Sequence, residues 1–199
     1  GEVYPVNPSA KELLGFKAYP SIRQVPSDVD LAVVAVPAKH VVRSVRECAE
    51  KDVRWCVVIT AGFKETGGEG ERMQEELVKI CEESGMSLIG PNCMGVFSAS
   101  SNLHALMNPF FPRKGGVSIV SQSGTVGMML MDSLSQRGSG VARFVSSGNE
   151  AHVKLADYLE FFASDPETRV VVSFVESVRD GRRFMEAARK VTEKKPLIC

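Results

Sequence analysis

Residues 115–138, GGVSIVSQSGTVGMMLMDSLSQRG, decide how this chain folds. Val117, Ser118, Ile119 and Val120 form a short run rich in β-branched residues, as a buried parallel strand requires. A small polar turn follows, made of Ser121, Gln122, Ser123, Gly124 and Thr125, and then Val126, Met129, Leu130 and Leu134 recur at helical spacing. Strand, tight turn, helix is the expected local structure. The first amides of a helix have no partner within it, so a turn of glycine and hydroxyl residues leaves them open to an anion. On these residues alone the turn is either a phosphate cradle or a well-capped crossover.

The same grammar extends in both directions. Strands are predicted at 2–7, 30–36, 54–60, 86–90, 117–121, 141–145, 169–175 and 196–199. Helices are predicted at 38–51, 70–83, 124–137, 153–163 and 180–193. Such alternation implies right-handed crossovers and an α/β fold with parallel sheets covered on both faces. Residues 91–114 hold Asn, Ser and Pro without a sustained period, which places a domain boundary there and divides the chain into 1–112 and 113–199. The chain begins at a strand and ends inside one, so it is expected to be a piece of a longer protein.

Acidic and basic residues balance at 24 each. Any anion site must therefore be local, and neither nucleic acid nor an anionic membrane is an expected partner. The five cysteines form no C-x-x-C pair, which suits reduced thiols better than disulfides or zinc. No apolar run approaches the ~18 residues of a membrane span, and no signal peptide is visible, so a cytoplasmic location is expected.

In open parallel sheets ligands sit beyond the carboxyl ends of the strands, and the loops there carry the candidates. Pro37, Ala38, Lys39 and His40 follow one strand, where Lys39 could meet a phosphate or be a solvated residue of a proline-started helix. Thr60, Ala61, Gly62, Phe63 and Lys64 follow the next, where glycine could admit a ligand to the backbone or the loop could be ordinary. Asn7, Pro8, Ser9, Ala10 and Lys11 are similar. No Gly-x-Gly-x-x-Gly follows any strand, which counts against an ordinary dinucleotide site, and the G-x-S-x-G of a hydrolase is absent around Ser123. His40, His104 and His152 stand at no metal-ligand spacing. Cys93 reads as a small buried residue. Glu176 closes the apolar run 170–175, which puts a carboxylate beside the polar turn, where it would repel phosphate unless a group stood between them.

Taken together, VYPVNP (3–8), DLAVVAVPAKHV (30–41), VVITAGFKE (57–65), LIGPNCMG (88–95), SIVSQSGTVG (118–127) and FVESVRDGRRF (174–184) resemble the nucleoside-diphosphate-forming acyl-CoA synthetases, relatives of the succinyl-CoA synthetase α subunit. The resemblance implies a Rossmann-like CoA-binding domain followed by a flavodoxin-like ligase domain. It also implies a reversible reaction in which acyl-CoA and phosphate give an acyl phosphate, a histidine takes the phosphoryl group, and an ATP-grasp module holding Mg passes it to ADP. By position, Lys11, Val36, Pro37, Ala38, Lys39, Thr60, Ala61, Gly62 and Phe63 would line the CoA site, with Asn92 and Cys93 beside the acyl centre. Ser121, Gln122, Ser123, Gly124 and Thr125 would hold the phosphoryl group, and Glu176 would orient the histidine, whose imidazole would separate carboxylate from phosphate. The family's glycine-rich loop before VYPVNP, its phosphoryl-carrying histidine after KPLIC and its ATP-grasp segment are all expected outside these residues. Partners so implied are a small carboxylic acid, acyl-CoA, and an ATP-grasp domain or subunit in an oligomer. Two other readings remain at this point: a CoA-sensing region fused to a protein lysine acetyltransferase, and a nicotinamide-dependent oxidoreductase.

Overall fold

The alternation produces two sheets whose strands are mostly parallel, and the computed structural model describes all 199 residues. A small antiparallel hairpin, β1 (Glu12–Leu13) with β2 (Phe16–Lys17), comes first. The strand expected at 2–7 is reduced to a single bridge from Val6 to Tyr19, since Pro5 and Pro8 cannot donate to a ladder.

The first sheet contains β3 (Leu31–Val34), β4 (Trp55–Val58) and β5 (Ser87–Ile89), all parallel and in sequential order. Helices α1 (Ala38–Glu50) and α2 (Glu69–Ser84) connect them. Two right-handed crossovers in the same direction carry both helices to the same face. That face buries Ala32, Val34, Cys56, Val58 and Leu88 with Val41, Val45, Leu77 and Ile80. The expected cover on both faces is only partly realised in this sheet. On the other face Val57 and Ile89 are buried in a core shared with the second half of the chain, while Val33 and Trp55 remain 45% and 44% exposed.

The second sheet has six strands. Residues 91–114, aperiodic in sequence, contain an antiparallel hairpin of β6 (Gly95–Ser98) and β7 (Leu103–Leu106). It pairs with β9 (Val141–Ser146), so backbone pairing passes from the first sheet to the second between Ile89 and Gly95, ahead of the change of rhythm at 112/113. The remaining strands, β8 (Lys114–Ser121), β10 (Val170–Phe174) and β11 (Leu197–Ile198), are parallel to β9 and complete the order β11-β10-β8-β9-β6-β7. Helix α3 (Gly124–Gln136) leads from β8 to β9; α4 (Leu155–Ser164) leads back across β8 to β10, and α5 (Gly181–Thr192) continues outward. Opposite directions of travel place α3 on one face and α4 with α5 on the other. Met128 and Met131 of α3 pack with Ile119 and Phe144, whereas Leu159 and Phe162 of α4 pack with Val120, Val171 and Val191. No helix is long and apolar enough to cross a membrane.

Leu159 is fully buried in the core that joins the two sheets. Leu159→Ala should therefore cost about 2–5 kcal/mol in chemical denaturation, while Val33→Ser on the uncovered face should change stability by no more than about 0.5 kcal/mol.

Candidate functional site

Strand order fixes the location of the site. From β8 the chain turns to one side and one face, and from β10 to the other, so β8 and β10 flank a topological switch point with a crevice at their carboxyl ends. Ser121 lies opposite Phe174 in register, and the turn 121–125 and Glu176 therefore emerge side by side.

Each residue of the turn has a distinct task. Ser121 is fully buried; its hydroxyl donates to the Ser123 carbonyl at 2.5 Å, and its own carbonyl accepts the Ser147 N–H at 2.8 Å. The Gln122 side chain is spent on the neighbouring loop. Its oxygen accepts the Glu176 and Ser177 N–H groups at 2.6 and 2.8 Å, and its nitrogen donates to the Ser177 carbonyl at 2.8 Å. Ser123 is the N-cap of α3, its oxygen accepting the Val126 N–H at 3.4 Å. Gly124 is pressed against the loop after β5, since a Cβ there would lie 2.3 Å from Met94 Cγ. Helix geometry leaves the amides of Gly124 and Thr125 without intrahelical acceptors, at the positive end of the helix dipole. The Glu176 carboxylate is exposed and has no hydrogen-bond or ion-pair partner within the chain.

The loops after the first sheet's strands also converge. Thr60 Oγ1 donates to the Val36 carbonyl at 2.7 Å, the Asn92 N–H donates to the Thr60 carbonyl at 3.0 Å, and a Cβ on Gly62 would come within 3.3 Å of Ala38 Cβ. Pro37 is the N-cap of α1, and Lys39 in its first turn is exposed without an ion pair. Phe63 points its ring into the core at zero exposure, and the amides of Gly62 and Phe63 donate to the Glu65 carboxylate at 2.6 and 3.1 Å. Lys11 directly precedes the β1–β2 hairpin and is exposed, its carbonyl accepting the Ala18 N–H at 2.9 Å. Cys93 is 3% exposed and donates to the Val58 carbonyl at 3.3 Å. Burial pushes its thiol up to about 11, the behaviour of a packed thiol and not of a nucleophile.

The two sets of loops meet at residues 147–150, which sequence reasoning missed. Asn149 donates from its side chain to Glu65 at 2.5 Å and to Gln74 at 2.9 Å, and its oxygen accepts from the Asn92 side chain at 3.3 Å. Gly148 has φ +58°, and a Cβ there would lie 2.3 Å from the Pro91 carbonyl oxygen, so only glycine lets these loops touch. The signal was present as a Gly-Asn pair one residue beyond the end of a strand. Together Lys64, Glu65, Gln122, Asn149, Glu176 and Arg179 line a wholly polar cleft of about 320 Å³. A second cavity, of about 460 Å³, lies at the opposite, amino ends of β3 and β4, and its mainly acidic lining of Asp28, Asp30, Glu50 and Asp52 is ill suited to an anion. None of the three histidines lines the cleft; His104 bonds the Phe110 carbonyl at 2.8 Å and His152 accepts from the Leu88 N–H at 3.4 Å.

Comparison with known proteins gives this arrangement a context. Residues 1–99 match the CoA binding domain, and residues 114–199 match the succinyl-CoA ligase like flavodoxin domain. The chain is 44% identical over its whole length to the alpha subunit of an ADP-forming acetate–CoA ligase II of Pyrococcus furiosus, of which it covers 43%. It is 42% identical to an ADP-forming acetate–CoA ligase I of Archaeoglobus fulgidus and covers 29% of it. The chain thus spans less than half the length of these curated relatives. Among solved structures, an acetyl-coenzyme A synthetase 1 of Candidatus Korarchaeum cryptofilum in complex with phosphate and ADP superposes with a TM-score of 0.94. It is 40% identical, and the match covers 99% of this chain and 42% of that one. These relatives lend no support to the acetyltransferase-linked or nicotinamide-dependent readings.

Partial burial opposes ionisation of Glu65, but the hydrogen bonds from Asn149 and from the Gly62 and Phe63 amides outweigh it and hold its carboxyl below the ordinary value. A carboxyl with a depressed folded-state pKa stabilises the fold above its unfolded value and loses that contribution as pH falls through the folded one. As pH falls from 7 to 3, the melting temperature of the native chain should therefore fall more than that of Glu65→Gln. Cys48, Cys56, Cys81 and Cys93 are buried and Cys199 is exposed, so maleimide labelling of the folded chain at neutral pH should modify Cys199 alone, as read by peptide mass.

Proposed function

We propose, from the premise that the chain belongs to the nucleoside-diphosphate-forming acyl-CoA synthetases, that it is the CoA- and phosphate-handling part of an acid–thiol ligase. The overall reaction would interconvert acyl-CoA, phosphate and ADP with a small carboxylic acid, CoA and ATP. The observation that carries this reading is the convergence at the switch point: an anion-accepting helix start, a free carboxylate at Glu176, and the loops of a CoA-binding domain share one end of the molecule.

CoA is assigned to the surface made by Val36, Pro37, Ala38 and Lys39 with Thr60, Ala61 and Gly62, closed by Asn92. Lys39 supplies an unpaired cation for a phosphate of the cofactor. Phe63 and Cys93 shape this surface from beneath, and the exposed Lys11 is assigned to it as a second cation. Phosphate is assigned to the Gly124 and Thr125 amides with the Ser123 and Thr125 hydroxyls. Ser121 and Gln122 support the turn from behind. Here phosphate would attack the acyl carbon of acyl-CoA, releasing the CoA thiolate and leaving an acyl phosphate. The helix start would stabilise the charge on the phosphoryl oxygens, as positioning and electrostatics dominate such transfers.

The next step needs a histidine to accept the phosphoryl group. Glu176, whose backbone N–H and that of Ser177 donate to the Gln122 side chain, would accept a hydrogen bond from the far nitrogen of that ring and so aim the near one at phosphorus. The histidine, and an ATP-grasp domain or subunit that binds Mg and ADP, would lie outside the 199 residues, in an oligomeric and cytoplasmic enzyme. By this reading the chain alone binds CoA but does not form acyl-CoA from acid, CoA and ATP.

Titration calorimetry should show CoA binding by the purified chain, weakened about tenfold by Lys39→Ala, the loss of one charge-assisted hydrogen bond. Absence of CoA binding, or complete ligation by the isolated chain, would contradict the proposal.

A further inference from the structure

One residue bonds to the CoA loop, to the loop after β5 and to the loop that carries Glu176. From Asn149 the side-chain nitrogen donates to Glu65 at 2.5 Å, and the other oxygen of that carboxylate holds the Gly62 and Phe63 amides of the CoA loop. The Asn149 side-chain oxygen receives Asn92 at 3.3 Å, and its backbone N–H donates to the Pro91 carbonyl at 2.9 Å. Its carbonyl accepts the Arg179 guanidinium at 3.1 Å, three residues beyond Glu176. Asn149 stands between Gly148 and Glu150, both at positive φ, on a loop whose Ser147 donates to the carbonyl of Ser121 in the phosphate turn. A shift of Asn149 in either direction must break bonds on both sides of the cleft.

We propose that Asn149 is a positioning residue that couples the CoA loop to the phosphate turn, so that a ligand at either one alters the affinity of the other. The inference rests on the reading of both sites given above. The connection is short and physical. A CoA group that approaches the amides of Gly62 and Phe63 competes with the Glu65 carboxylate, and a displaced Glu65 withdraws the acceptor that holds Asn149. The loop 147–150 then relaxes against Ser121 on one side and Arg179 on the other. Binding free energies couple reciprocally, so phosphate must change CoA affinity by the same factor as CoA changes phosphate affinity.

A purely structural Asn149 would staple the loops and contribute to stability without any such factor. Gln74, 6% exposed, depends on Asn149 for a donor, so a truncation would leave a buried oxygen unpaired. The informative change is Asn149→Asp, which sets an acceptor against Glu65 while Gln74 can turn its amide to donate. Adding Glu65→Gln restores the pair with donor and acceptor exchanged.

The test titrates CoA into the 199-residue chain by calorimetry, with and without saturating inorganic phosphate, for the native sequence, N149D and the N149D/E65Q pair. The native chain should show a phosphate-dependent change in CoA affinity of about fivefold or more, N149D should abolish it, and the pair should recover it. Should N149D not fold, as judged by circular dichroism, Glu65→Ala breaks the same bridge from its exposed end and must lose the change. Native binding of both ligands with no mutual effect, or an effect that survives in N149D or in E65A, overturns the coupling while leaving the two sites intact. Failure of the native chain to bind either ligand overturns the functional reading itself, and the coupling with it.

Discussion

The apolar core shared by the two sheets is the constraint on which the rest depends. It runs from Val57 and Ile89 of the first sheet through Cys93 and Val96 to Leu159, Phe162 and Val171 of the second. Hydrogen bonds between loops contribute only about 0.5–1.5 kcal/mol each in net terms, too little to fix two domains against one another. Burial of side chains of this size, at about 1.5–3 kcal/mol each, can do so. Once Val57 and Ile89 are docked in that core, the loops after β4 and β5 are brought against the loop after β9. The contact between Gly148 and Pro91 follows from it, with no room for a side chain at Gly148.

Topology then divides labour among the polar groups. At a switch point two loops diverge from adjacent strands, and something must keep their tips in register. Here the Gln122 side chain does so by acting as a piece of backbone toward Glu176 and Ser177. Ser121 and Ser123 close the turn on itself, and Glu65 occupies the amides of the loop opposite. Among the groups left without a partner at this end of the molecule are the helix-start amides of Gly124 and Thr125, the Lys39 ammonium and the Glu176 carboxylate. The structure spends most of its polar groups on holding a few others ready.

How much of this could be read from the sequence depended on how local its cause was. DLAVVAV and RWCVVIT identify themselves as buried strands because consecutive β-branched residues suit little else. The turn at 121–125 was legible because its strand and helix flank it directly. The hairpin at 95–106 was not, since GVFS and LHAL are short, and GVFS gains its place in the sheet by pairing with β9, where Val96 lies opposite Val145. VYPVNP is apolar enough for a strand, but its prolines leave Val6 one bridge. Site residues followed the same rule. Candidate positions at strand ends could be named from local sequence, whereas the bond that makes the Gln122 side chain a brace lies with a partner 54 residues away. Asn149 was missed because its contacts with Glu65 and Gln74 lie across the seam between the two halves.

The central claim is that the start of α3 is an anion site poised beside Glu176. Hydrogen-exchange mass spectrometry of the chain with and without inorganic phosphate tests it directly. Slowed exchange confined to residues 123–126, with the remainder of α3 unchanged, is the result that the account predicts. No protection there, or protection located instead at the acidic cavity near Asp28 and Asp52, would contradict it.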